Sequence, residues 1–80
     1  MPIRVIITVY EHPTGVISVR KDSPDDNFTT YENVKRCVSE NRKDTAIAES
    51  RLVKVELIDD SGFRDEFTDI RLKDISAATA

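Results

Sequence analysis

Eighty residues carry twelve basic and fifteen acidic side chains, a net charge of −3, with one cysteine, one histidine and two glycines. A chain of this length holds one hydrophobic core, and so mild a charge gives no bulk pull toward nucleic acid or an anionic membrane. Lone Cys37 excludes an internal disulfide framework and a cysteine-rich zinc site, which suits a reducing, cytoplasmic setting.

The longest apolar run, Val5 to Ile7, is far short of a membrane span, and residues 1–10 lack the basic start and apolar stretch of a signal peptide. Instead Ile3, Val5, Ile7 and Val9 alternate with Arg4, Ile6, Thr8 and Tyr10, a two-residue period that predicts a strand. The odd positions read as its core face. EHPTG follows at 11–15, where Pro13 presets the second position of a type I turn and Gly15 supplies the left-handed residue that closes a bulged hairpin. Val16, Ile17 and Val19 then resume the strand pattern, with Ile17 and Val19 joining the odd face.

Polar punctuation from Lys21 to Thr30 predicts a loop. Thr29 followed by Glu32 matches a capping box, so a helix starts at about Thr30 and ends near Asn41 to Lys43. Its apolar side collects Tyr31, Val34, Cys37 and Val38, with Asn41 alongside. Residues 42–51 fit both a further helical turn capped by Asp44 and a bend into a strand. Leu52 to Ile58 alternates again, and DDSG at 59–62 supplies a second turn. Beyond it, residues 63–75 carry both helical and alternating spacing; a tight turn after a clear strand favours a returning strand, bulged near Thr68 or Asp69. The predicted fold is α+β, a single domain over 1–76 with 77–80 as a frayed tail. Its order is ββαββ, a four-stranded, mainly antiparallel sheet with one helix packed on one face.

The chemical inventory is thin. Nucleophilic or acid–base catalysis needs a nucleophile, a base in reach and an orienting group, and here one His and one Cys form the pool. Cys37 reads as a small core hydrophobe and His12 as a structural residue, because no second imidazole or HExxH-type spacing accompanies it. DSPDDN puts Pro24 where a calcium loop needs an oxygen ligand, and both glycines lie in hairpin turns rather than in a phosphate-binding loop. No cofactor, metal or catalytic site is expected.

The expected function is a non-enzymatic protein-interaction module. Compact acidic domains without catalytic residues are common among phage and mobile-element products that bind and inhibit a host complex, including nucleic-acid-handling or defence machinery. Two surfaces are candidates for the protein partner: the acidic loops, through Asp25, Asp26, Asp59 and Asp60, and the sheet face away from the helix, through Ile6 and Tyr10, where a second copy making a homodimer is one candidate. The alternative is nucleic-acid binding or regulation through the basic segment 35–43, with Lys35, Arg36, Arg42 and Lys43 contacting phosphates.

Overall fold

The structure, a computed structural model, describes residues 3–66. Strands β1 (Ile3–Glu11) and β2 (Ile17–Asp22) pair antiparallel through the turn expected at EHPTG. The Gly15 amide donates to the His12 carbonyl at 2.8 Å, and Gly15 takes φ +93°, a conformation that side-chain-bearing residues rarely adopt. Strand β3 (Arg51–Asp59) pairs antiparallel with the other side of β1, and the three residues of β4 (Arg64–Glu66) add to its outer edge. The spatial order is β2-β1-β3-β4. Most of the returning strand expected over 63–75, and the tail at 77–80, lie outside the described residues.

Helix α1 (Thr30–Asn41) begins where the capping box placed it. Thr29 accepts from the Glu32 amide at 3.2 Å, although its hydroxyl then turns to the Glu32 carboxylate at 3.1 Å. Residues 42–51 resolve into one more turn, α2 (Thr45–Ala48), which Asp44 caps by accepting from the Ala46 amide at 2.9 Å; β3 follows at once. Strands β2 and β3 both run antiparallel to β1, hence parallel to each other. The passage between them through the helices is therefore a crossover over one face of the sheet.

The helices cover the even face, not the odd one. Ile6, Thr8 and Tyr10 of β1 are fully buried, facing Leu57, Val55 and Leu52 of β3, with Val34 and Val38 of α1 and Ile47 of α2 closing the core. This overturns the expected assignment of Ile6 and Tyr10 to a partner or dimer face, since both have no exposed surface. Alternation defines two faces but does not say which one the chain crosses. Crossovers between parallel strands are right-handed in nearly all proteins, so chain path selects the covered face. Two register shifts tune the result: Val53 is left unpaired between Leu52 and Lys54, and Arg4 between Ile3 and Val5. The second returns Ile3 to the core, against which it packs.

A polar cluster sits within this core. The Asn41 side-chain amide lies 3.1 Å from the Tyr10 hydroxyl, 3.2 Å from Asp22 Oδ2 and 3.4 Å from Thr8 Oγ1. Two N–H groups serve three acceptors from two strands, tying the end of α1 to the sheet. At the other end of α1, buried Asn33 accepts from the Asp25 amide at 2.8 Å and donates to the carbonyls of Asp25 and Phe28, clasping the β2–α1 loop. Tyr31, expected among the packed residues, is exposed.

Candidate functional site

Covering the even face leaves the odd face open, where β-branched side chains lie among charged ones. Val5, Ile7 and Val9 of central β1 are half-buried. They pair laterally with Ile58 of β3 and with Lys21 and Val19 of β2, while Ile17 lies beside Glu11. Ile17 is 53% exposed and Val19 52%. On the same strand Ser18, Arg20 and Asp22 point to the helix side and are more sheltered than their apolar neighbours. Arg20 bonds Asp44 at 3.0 Å there, and Asp22 meets Asn41. Strand β2 thus shelters Ser18, Arg20 and Asp22 and exposes Ile17, Val19 and Lys21.

Glu11, Arg51, Lys54, Glu56 and Arg64 on this open face pair within the chain, whereas Lys21 stands exposed beside Ile7. Arg51 reaches Glu11 at 2.6 Å, and Glu56, its side chain only 15% exposed, takes Lys54 at 2.8 Å and Arg64 at 3.0 Å. Those two cations, Lys54 foremost by its hydrogen bond, hold the Glu56 carboxyl below the usual carboxylate range.

The acidic loops meet at one end of the sheet. Asp60 binds Arg4, and the charge of Asp26 also acts on Arg4, so one guanidinium lies under the influence of both loops. Asp59 Oδ1 accepts from the Ser61 amide and hydroxyl at 2.8 and 2.7 Å and from the Phe63 amide at 3.1 Å, which lowers its pKa, the Ser61 hydroxyl contributing most. Asp25 accepts from the Asn27 amide at 2.9 Å and lies 3.9 Å from Arg36. Three of the four carboxylates are therefore engaged in closing turns or pairing with nearby arginines.

Each cation of the basic segment has a contact within the chain. Lys35 lies over the Tyr31 ring at 5.5 Å and Arg36 over the Phe28 ring at 4.2 Å. Lys43 pairs with Glu40 at 3.1 Å. Arg42 is a structural residue, donating from Nη1 to the Ser50 carbonyl at 2.7 Å. Beside this segment, a depression of about 740 Å³ is lined by residues of both signs, Asp22, Asp25, Lys35, Arg36 and Glu40 among them.

His12 forms part of the hairpin corner. Its Nδ1 accepts from the Thr14 amide at 3.2 Å and lies 2.8 Å from the Thr14 hydroxyl, which leaves the ring proton on Nε2, 3.6 Å from Glu49. Cys37 is half-buried at the edge of the core, and burial, then the charge of Asp22, pushes its thiol up to about 11, against a smaller opposing effect from Arg36. Such a thiol is protonated at neutral pH. Among the described residues no cluster of three His, Cys, Asp or Glu side chains is placed to hold a metal, and no helix is long and apolar enough to cross a membrane.

Comparison with protein-family models, curated proteins and solved structures finds no match. The residues that the sequence reading missed as a surface, Val5, Ile7, Val9, Ile17 and Val19, were the ones it had assigned to the core. The signal was present, because the even positions of β1 are apolar too, but alternation cannot rank two apolar faces.

Proposed function

We propose that this chain is a small non-enzymatic protein-interaction module that binds through the open face of its sheet. The exposed apolar side of the sheet carries the reading: Ile17 and Val19 of β2, with Lys21 beside them, face water next to half-buried Val5, Ile7 and Val9, while Ser18, Arg20 and Asp22 turn toward the helices. The acidic loops support binding less well, since Asp25, Asp59 and Asp60 already have partners. The basic segment supports nucleic-acid binding less well still, with Arg42 tied to the Ser50 carbonyl and Lys43 to Glu40.

The test is comparative capture of protein partners by the intact chain and by two sets of variants. Val19→Lys and Ile17→Lys place a charge on the open face at exposed positions, and partner recovery is expected to fall sharply. Replacing Asp25, Asp26, Asp59 and Asp60 by Asn is expected to leave it nearly unchanged. Equal recovery by the open-face variants and the wild type removes the open face from the account.

A further inference from the structure

We propose that the outer edge of β2 is a strand-addition site for an extended segment of a partner protein, with apolar side chains at alternate positions and an acidic one opposite Lys21. This goes beyond the open-face reading, because main-chain groups at the rim of the sheet make the contact that holds the segment.

One bond sets the direction of the β2 backbone. The His12 amide donates to the Val16 carbonyl at 2.9 Å, which makes 12 and 16 a hydrogen-bonded pair. Such pairs alternate with non-bonded ones along an antiparallel ladder. Ser18, Arg20 and Asp22 therefore bond across to Tyr10, Thr8 and Ile6, and Ile17, Val19 and Lys21 turn their N–H and C=O groups away from β1. The Arg20 side chain agrees with this direction, since its Nη1 reaches around the rim to donate to the Val19 carbonyl at 3.2 Å. Strand β2 ends the sheet, and among the described residues no further strand lies beyond it. Its six residues contain no proline and pair with β1 without a register shift. A regular edge of this kind presents a row of donors and acceptors that an added strand matches.

The same alternation defines the chemistry of the occupant. Residues bonded to Ile17, Val19 and Lys21 place their side chains on the open side of the sheet, next to two exposed apolar groups and one exposed cation. Lys21 has apolar Ile7 beside it on β1, so an acidic side chain opposite it on an added strand meets a cation directly. A second copy of β2 fits less well. Asp22 faces β1, so in any bonded antiparallel register of β2 with itself Lys21 stands opposite Ile17, Val19 or another Lys21, never an acid. Arg20 covers the middle of the edge. A strand amide facing Val19 takes over that carbonyl from Nη1, while the Nη2 bond to Asp44 at 3.0 Å is free to stay. Where β2 ends, Asp22 and Ser23 line the depression of about 740 Å³ together with Arg36 and Ser39 of α1, which leaves room there for a side chain of the added strand.

Amide hydrogen exchange on the full chain tests the proposal, with the blocked peptide Thr-Glu-Thr-Val-Thr-Val-Thr as the probe. Laid antiparallel to β2, it sets its Glu and two Val opposite Lys21, Val19 and Ile17. In the chain alone the amides of Ile17, Val19 and Lys21 are expected to exchange fast and those of Ser18, Arg20 and Asp22 slowly. Peptide at millimolar concentration is expected to slow the first three. N-methylation of the Glu and Val amides of the peptide, which face β2, is expected to abolish that effect, and N-methylation of its Thr amides to spare it. Lysine in place of the peptide's Glu is expected to weaken binding about fivefold or more, and Lys21→Glu to reverse the preference. Val19→Pro removes only an outward N–H, so the chain is expected to keep its far-ultraviolet circular dichroism spectrum and lose the peptide. No slowing of the three amides, equal binding of the two N-methylated peptides, an unchanged charge preference in Lys21→Glu, or full binding by Val19→Pro overturns the proposal. Slowing of the same amides when the chain alone is concentrated assigns the edge to a second copy and overturns the partner segment. Loss of partner capture in Val19→Lys bears on the open face instead, since that variant keeps every outward N–H and C=O of β2.

Discussion

On the covered face of β1, Ile6, Thr8 and Tyr10 are fully buried, and two of the three carry hydroxyls. The open face of the same strand presents Val5, Ile7 and Val9, with no polar atom in their side chains, yet these are only half-buried and their β2 neighbours Ile17 and Val19 are exposed. The more apolar face is thus the less covered one. Apolar content does not decide which face a helix takes; the path of the chain between β2 and β3 does, and the polar groups on that side are retained because Asn41 satisfies them. What remains among the described residues is an uncovered apolar row on β1, bordered by charged side chains.

The sharpest way to break this comparison is to truncate matched side chains on the two faces. In urea unfolding, Ile6→Ala is expected to cost about 3 kcal/mol and Ile7→Ala about 1 kcal/mol. An equal or reversed pair of costs would show that the helices do not rest on the even face in solution. Next in size is the polar cluster. Asn41→Ala leaves the Tyr10 and Thr8 oxygens without their donor and is expected to cost about 2 kcal/mol, whereas Tyr10→Phe removes one acceptor and costs about 1 kcal/mol. A neutral Asn41→Ala would mean that the end of α1 is not seated on β1.

The smallest effect is read at the seam of the covered face. With the Cys37 thiol pushed up to about 11, alkylation by iodoacetamide is expected to be slow at neutral pH and to accelerate toward that value. The unfolded chain loses its thiol proton first, so between the unfolded value near 9.0 and the folded value near 11 it binds fewer protons and this group's contribution to stability falls as pH rises. Alkylation at the rate of a free thiol at pH 8 would show the seam to be open.

What the sequence alone determined is local. The strand periods of β1 and β3, the corner closed by Gly15 in a left-handed conformation, the Thr29 cap and the start of α1 each depend on a few neighbouring residues, and each stands in the structure. The short α2 was one of two readings that the sequence left open, and Asp44 capping it closed the question. Tertiary structure decided the rest. A period of two is symmetric between its faces, so only the crossover and the unpaired residues Val53 and Arg4 fix which side chains are buried. The Asn41 cluster likewise joins α1 to two strands across 31 positions to Tyr10 and 19 to Asp22, distances over which residue pattern carries no information about contact. The same asymmetry turned Ile6 and Tyr10 from a supposed surface into the core, and the supposed core of Val5, Ile7, Val9, Ile17 and Val19 into the surface, because a one-face shift in a strand exchanges every side chain at once.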